Sequence, residues 1–473
     1  MKSFGLIKRG PRKRKVFVIG LDCAAPELVF GRWRKDLPNL SFLADNGISG
    51  ELESCKPAIT VPAWSCMFSS KDPGVLGIYG FRNRADHSYD NMYIATASAV
   101  KEMRVWDYLS DAGKTSVVIG VPQTYPVKPL DGYMVSGFLT PSIRNDFTYP
   151  SELKAEILRV APNYAFDVKE FRTEDKEWLL HQIYEMTDQH FRVIDHLLVT
   201  KPWQLFISME IGVDRIHHGF WSFHDAQHSR YQAGNSYENV IHDYYTYLDR
   251  KIGDWLEQLD KETVVMVVSD HGAQRMDGGI CINEWLWRNG YLFFEKDPEP
   301  GAVVSLKSMR IDWGRTRAWA EGGYYGRVFL NVAGREPQGV VRASDFEAVR
   351  DDLAERLAAI PDANGKEIGT RVFKPQDIYR KVRGVAPDLM VYFGGLLWRS
   401  VGSLGHDAFH TFSNDTGPDD CNHAENGLFI LYDPKSEHDG QQIQGAQIMD
   451  IAPTIMRLLG LSLPDDLQGS SLA

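Results

Sequence analysis

The sequence predicts an α/β fold built on a mostly parallel sheet with helices on both faces. Three observations carry this. Short, β-branched, apolar runs recur at Val16–Leu21, Ser116–Gly120, Leu205–Ser208 and Thr263–Val268. Helix-compatible stretches separate them, among them Glu152–Val160, Glu174–Val199 and Glu238–Leu259. The runs are apolar throughout instead of alternating, as strands buried on both faces must be.

Taken in order, the first run follows a basic stretch containing Lys8, Arg9, Arg12, Lys13, Arg14 and Lys15. Residues 1–14 read as a solvated basic tail. Basic residues before an apolar run resemble a signal peptide, but the run is too short and Asp22 interrupts it. No stretch of about 18 apolar residues occurs, so no membrane span is expected and the protein reads as cytoplasmic. The core is expected over 15–294 and 406–473. Between them, 295–405 is rich in Gly, Arg and Pro turns and reads as an inserted, smaller α+β subdomain. Its expected strands are Arg327–Asn331 and Leu389–Phe393, with a helix over Ala343–Ala359. The chain then returns to the core with a strand at Leu428–Tyr432 and a helix at Ile451–Leu459. Asp450 and Pro453 mark that helix's start.

Composition narrows the function classes. The 473 residues carry 52 Lys+Arg against 63 Asp+Glu, a net charge of −11, which argues against a broad nucleic-acid-binding surface. The five cysteines (Cys23, Cys55, Cys66, Cys281, Cys421) are scattered and form no CxxC pair, so neither a disulfide scaffold nor a thiolate zinc site is expected. The 14 histidines are more informative.

In open parallel sheets, ligands gather beyond the carboxyl ends of strands. Here those ends carry acids. Asp22 follows the first run, Glu210 and Asp214 follow Leu205–Ser208, and Ser269-Asp270-His271-Gly272 follows Val268. One such acid is ordinarily a turn former or cap; three clusters, two pairing Asp with His, are harder to explain that way. Asp214 and His218 are four apart, so a helix places both on one face, within reach of one ion. His217 then points elsewhere. His423 precedes the strand Leu428–Tyr432, while His406 and His410 compete with it through their own i,i+4 spacing. Mixed carboxylate and imidazole donors suit Zn²⁺, with Mn²⁺ as the alternative, in an open catalytic site.

Pro57-Ala58-Ile59-Thr60-Val61-Pro62-Ala63-Trp64-Ser65 supplies a nucleophile candidate. Pro62 suits a first helical turn, which puts Thr60 at a helix N-terminus, where free N–H groups favour an anion. A threonine hydroxyl becomes a nucleophile when a divalent ion stabilises its alkoxide. By itself Thr60 is equally readable as an N-cap. Ser65, inside the helix, is the weaker candidate.

The ordered set Val18-Ile19-Gly20-Leu21-Asp22, Thr60-Val61-Pro62-Ala63-Trp64, Asp214-Arg215-Ile216-His217-His218, Val268-Ser269-Asp270-His271-Gly272 and His423-Ala424-Glu425-Asn426-Gly427 resembles the alkaline phosphatase superfamily. Within it, the set resembles the type I phosphodiesterase/nucleotide pyrophosphatase group. Asp312-Trp313-Gly314-Arg315-Thr316-Arg317-Ala318 and Ala386-Pro387-Asp388-Leu389 look like the bacterial and archaeal branch of predicted phosphohydrolases. The resemblance implies an alkaline-phosphatase-like three-layer α/β/α core and two metal ions about 4 Å apart. One ion would be held by Asp214, His218 and His423, the other by Asp22, Thr60, Asp270 and His271. It further implies attack by Thr60 and a covalent phospho-threonine.

The likeness has departures. Where relatives have His-Gly-Ile, this chain has Leu76-Gly77-Ile78, and the neighbourhood of an expected Asn reads Phe81-Arg82-Asn83-Arg84. Arg82 and Asn83 are therefore the substrate-binding candidates. The expected substrate is a small phosphorylated molecule, with nucleotides included and nucleic-acid polymers not expected. Phosphodiester or pyrophosphate cleavage leads; a phosphomonoesterase or phosphomutase, using Arg82, Arg84 and Arg215 for the extra oxygen, is the alternative. A sulfatase fits poorly, because Thr60 and Trp64 stand where that branch needs Cys or Ser and Arg. A non-catalytic binding protein on the same scaffold is the reading from another class. The aromatic residues Trp313, Trp319, Tyr324 and Tyr325 read either as a leaving-group wall or as subdomain core; Trp285 and Trp287 read as core.

Overall fold

A computed structural model describes residues 14–436 and 438–473. The basic tail 1–14 lies outside them except for Arg14, whose guanidinium pairs with Asp433.

The strands and helices that position the site are, in chain order, β1 (Lys15–Leu21), β2 (Ile48–Glu53), α1 (Thr60–Ser69), β3 (Ser116–Ile119), β4 (Gly132–Val135), β5 (Thr148–Tyr149), α2 (Lys176–Thr200), β6 (Leu205–Glu210), α3 (Gly212–His224), α4 (Val240–Gln258), β7 (Thr263–Val268), β8 (Gly272–Arg275), β9 (Cys421–Ala424), β10 (Asn426–Tyr432) and β11 (Gln441–Gln447). Nine of the strands form one sheet in the order β11-β2-β10-β7-β1-β6-β3-β4-β5. Its centre, from β7 through β4, is parallel. β10 enters antiparallel to both neighbours.

All four apolar runs are central strands of this sheet. Val16–Leu21, Val117–Ile119, Leu205–Ile207 and Val264–Val268 are buried, as continuous apolar strands under two helical layers require. The register matters for function. Leu21 pairs with Glu210 and Gly20 with Val268, so β1, β6 and β7 end at one level. Gly20 is needed there, since an added Cβ would lie 2.6 Å from the Trp64 ring. The last helix spans Ile451–Leu458 directly after Asp450. The Asp450 carboxylate, however, accepts from the backbone N–H groups of Gln447 and Ser470 instead of capping that helix.

A second hydrophobic cluster runs from Ile280 to Leu404. Its four-stranded antiparallel sheet joins Ala318–Glu321, Gly326–Leu330, Leu389–Tyr392 and Arg371–Phe373. The helix Phe346–Ala358 belongs to it, beginning later than the expected Ala343 because Ala343–Asp345 forms a 3₁₀ turn. Strand Gly278–Cys281 pairs with Trp398–Val401 and with His410–Thr411. The apolar packing of this lobe therefore starts upstream of residue 295, and its small sheets reach past 405. Trp313 and Trp319 lie in it, stacked on or against Tyr89, with Trp285.

Among the described residues, no helix is long and apolar enough to cross a membrane. All five cysteines are buried and free.

Candidate metal centre

The level strand ends bring the candidate residues into one cluster. Asp22 leaves β1, Asp270 and His271 leave β7, and α3 follows β6 after one residue, carrying Asp214 and His218 on one face. His423 arrives from β9, which pairs antiparallel with β8 so that His423 sits opposite Ala273. The His271 and His423 rings stack at 3.8 Å. Thr60 is the first residue of α1.

Two groupings are visible in the distances. His218 Nε2 lies 3.2 Å from Asp214 Oδ1 and 3.3 Å from His423 Nε2, and His423 Nε2 lies 3.8 Å from Asp214 Oδ1. His271 Nε2 lies 3.2 Å from Asp270 Oδ2, 3.8 Å from Asp22 Oδ1 and 3.4 Å from Thr60 Oγ1. Asp214, His271 and His423 also come within ligand distance of one another, so the two groups form one continuous centre.

Each imidazole is oriented from behind. Nδ1 of His218 donates to Asp419 (2.6 Å), Nδ1 of His271 to the Gly272 carbonyl (3.1 Å), and Nδ1 of His423 to the Ala58 carbonyl (2.8 Å). With the proton held at Nδ1, Nε2 of His271 and of His423 presents its lone pair to the centre, the usual arrangement of metal-ligating histidines. Burial opposes the charge on His218, but the neighbouring Cys421, Tyr324, Asp419 and Asp214 hold it well above its ordinary value, so its Nε2 carries a proton that a cation would displace. Trp64 Nε1 similarly holds Asp22 Oδ2 at 2.7 Å.

The remaining oxygens lack partners. Asp22 Oδ1, Asp214 Oδ1 and Asp270 Oδ2 are buried without a hydrogen bond. Burial, then the neighbouring Asp214 charge, pushes the Asp22 carboxyl well up; burial and Asp22 do the same to Asp270. Asp214 goes the other way: burial opposes ionisation, but His218 and Arg215 hold its carboxyl well below the usual range. Burial lowers His271 to about 4 and takes His423 well below its ordinary value, with the facing His271 adding to the latter. Three crowded carboxylates with orphaned oxygens and inward-facing imidazoles are costly as they stand. Divalent cations would satisfy these oxygens, so the donor set fits the two ions that the resemblance implies.

The structure adds residues that the sequence reading passed over. Cys23 occupies a left-handed backbone conformation (φ 65°), and its thiol, Asp214 and His218 are mutually within 4.8 Å. Cys23 belongs to no CxxC pair, the local sequence signal of a thiolate ligand. Asp419, which backs His218, also receives Arg172 Nε (3.0 Å) and Arg399 Nη1 (3.2 Å). Its 201-residue separation from His218 left no local signal. His217 points away from the centre, as expected, and stacks on Tyr245. His406 and His410 are also elsewhere, bonded to Ser403 and to the Pro361 carbonyl. Ser65 faces Gln123, and Glu210 faces His190 (2.8 Å) and the Gly212 N–H (2.8 Å).

A cavity of about 340 Å³ opens on Thr60, Asp214 and His423. Phe81, Phe138, Phe171, Tyr324 and Tyr325 form its aromatic wall. Arg82 lines it too, and among the described residues it has no ion-pair partner. Asn83 is turned into its own loop: it accepts from Tyr79 N–H and donates to the Gly80 carbonyl, and its side chain is not on the cavity wall. Arg84 points into the second lobe, beside Glu336 and over Trp319. Arg215 is clamped by Asp167 at 2.6 and 2.9 Å and also contacts Asp214.

A sequence model described as type I phosphodiesterase / nucleotide pyrophosphatase matches residues 16–419. No curated protein gives a significant match. Among solved structures, the chain is similar to human ectonucleotide pyrophosphatase / phosphodiesterase 5 (TM-score 0.56, 13% identity, 97% of each chain covered). It is also similar to the inactive murine protein in complex with AMP (TM-score 0.55, 13% identity, 96% of each chain covered). At that identity the likeness speaks for the fold.

Proposed function

Since the chain belongs to the type I phosphodiesterase/nucleotide pyrophosphatase family and is a phosphohydrolase, we propose that it cleaves phosphodiester or nucleotide pyrophosphate bonds through a covalent phospho-threonine at Thr60. The observation that carries this is the position of Thr60. Its hydroxyl stands at the N-terminus of α1, 3.4 Å from His271 Nε2, at the floor of an aromatic cavity bordered by the Asp214 carboxylate.

The metal groups follow the resemblance: Asp214, His218 and His423 would hold one ion, and Asp22, Thr60, Asp270 and His271 the other. Bound there, Zn²⁺ or Mn²⁺ would supply Lewis-acid polarisation of the phosphoryl oxygens and stabilise an alkoxide. Thr60 attacks phosphorus, one ester or pyrophosphate oxygen leaves, and water then releases from Thr60 Oγ1 the phosphoryl group, which still carries the other ester arm. The free N–H groups of the first turn of α1 face the phosphoryl oxygens. Arg82 contacts the substrate from the cavity rim, and the aromatic wall takes its apolar or base-bearing arm. A nucleotide fits that description.

A phosphomonoesterase or phosphomutase on the same centre would need free cations for a third phosphoryl oxygen. Three arginines of the cavity wall are already committed, Arg215 to Asp167 and Arg172 and Arg399 to Asp419. This supports the diester reading. A reducing, cytoplasmic setting accords with five buried, unpaired cysteines.

The test compares bis-p-nitrophenyl phosphate with p-nitrophenyl phosphate, using protein loaded with Zn²⁺ or Mn²⁺. A higher kcat/KM for the diester is expected, together with a Thr60 peptide that carries a p-nitrophenylphosphoryl group after acid quench. A preference for the monoester would establish the alternative. No turnover of either by metal-loaded protein would favour a binding protein.

A further inference from the structure

One of the buried cysteines stands at the metal centre. Cys23 follows Asp22 directly. One ligand atom each of Cys23, Asp214 and His218 lie within 4.8 Å of one another. The mechanism above makes no use of this thiol.

Its position is fixed by its own backbone and the next residue's. The Cys23 N–H donates to Asp270 Oδ1 (3.2 Å), and the Ala24 N–H to Ser269 Oγ (2.9 Å). Glycine would take the left-handed turn at Cys23 (φ 65°) without strain, yet a thiol is carried there. Among the described residues, that thiol makes one long hydrogen bond, donating to the Gly272 carbonyl at 3.4 Å.

Asp214 supplies an independent observation. It is 2% exposed, and its Oδ1, 3.2 Å from His218 Nε2, has no hydrogen bond. A buried carboxylate oxygen left open in a group with an imidazole and a thiol is answered by a cation. Asp214 and His423 line the cavity at Thr60, and Cys23 does not. The sulfur therefore approaches from the buried side and leaves the cavity-facing position open. Zinc accepts a fifth donor there, such as a phosphoryl oxygen.

We propose that Cys23 is an additional, thiolate donor to the ion held by Asp214, His218 and His423, and that it selects zinc over manganese for that ion. This rests on the two-ion reading above and deepens it. A thiolate is a soft donor that favours Zn²⁺, whereas carboxylate oxygens suit Mn²⁺ equally well. Among the described residues no thiol joins the group of Asp22, Asp270 and His271, so the selectivity belongs to one ion of the two. Binding replaces the S–H bond by a sulfur–metal bond and releases the proton to solvent; the sulfur is neither oxidised nor reduced.

Cobalt(II) titration of the full-length protein tests this, with bound metal counted by elemental analysis. Cobalt(II) on a thiolate gives an intense near-ultraviolet charge-transfer band that oxygen and nitrogen donors do not give. The unsubstituted chain should show the band. Cys23→Ser and Cys23→Gly should lose it while still binding cobalt through the remaining donors; glycine also suits the left-handed backbone, which guards against misfolding. Cys421, whose Sγ lies 3.4 Å from His218 Nδ1, is the rival sulfur, and Cys421→Ser should keep the band. In competition with a metal-sensitive dye, both Cys23 variants should lose preference for zinc over manganese by roughly tenfold or more. A cobalt-loaded unsubstituted chain without the band, or a band that survives in the Cys23 variants, would overturn the proposal. Cobalt bound by none of the proteins would instead overturn the two-ion reading, and this assignment with it.

Discussion

The floor and the wall of the cavity at Thr60 are built on different principles. The floor comes from strand ends and the starts of helices, and its polar atoms are pre-aimed but unsatisfied. Asp22, Asp214 and Asp270 each leave an oxygen open, while three imidazoles are locked from behind. The wall comes from loops and the second lobe, and most of its charges are already paired. Arg215, Arg172 and Arg399 all have carboxylate partners within the protein. Open valences mark the proposed place of the chemistry; closed ones mark shape. Among the described residues, Arg82 is the exception on the wall, a cation without an ion pair.

The sharpest test of this contrast is at the floor. Thr60→Ala should lose turnover by several orders of magnitude while retaining its metal by elemental analysis. Near-normal activity would remove Thr60 from the mechanism and leave the floor as a mere metal store. Next comes the support behind the floor. Asp419→Asn keeps the shape but withdraws the charge behind His218, and should weaken metal affinity or activity by about 10–100-fold. Competition with a metal-sensitive dye measures it, and an unchanged affinity would assign Asp419 to the wall alone.

The wall should respond more gently. Arg82→Gln should raise KM for a diester by roughly three- to tenfold with kcat nearly constant, because a rim contact binds ground and transition states alike. A fall in kcat at constant KM would move Arg82 into the reacting zone.

The smallest effect separates the two ends of α3. Its first turns carry Asp214 and His218, and its last turn carries His224, packed against Trp33 and Trp221. Burial, with Arg32 adding to it, lowers His224 to about 4. The folded protein therefore binds this proton less readily than the unfolded chain, whose imidazole titrates near 6.5. Stability from this residue is complete above about pH 6.5 and is lost as pH falls towards 4. In urea melts, His224→Phe should flatten the stability slope across that window. An unaltered slope would show that His224 is not its source.

Much of the floor was legible in advance. Four apolar runs became the central strands, and Asp22, Asp214 and Asp270 beyond three of them became the cluster, while Glu210 turned instead to His190. Asp214 and His218 were legible from helical spacing. Asn83 and Arg84 show where reading stops. Both looked like phosphate contacts, yet Asn83 closes its own loop and Arg84 sits beside Glu336, 252 residues away. A side chain's direction depends on partners that spacing does not reveal. The lobe boundary behaved similarly, since Gly278–Cys281 pairs with strands more than a hundred residues later.

The sequence alone determined the sheet's centre, the residues at its carboxyl ends and the family to which the ordered motifs point. These follow from short-range periodicity and from the parallel register that buried strands impose. Only the tertiary structure decided which nitrogen each histidine offers, which arginines are paired, and that Asp419 stands behind His218. Each of those depends on atoms brought together from distant parts of the chain. Their energies come from burial and pairing, which exist only once the chain has folded.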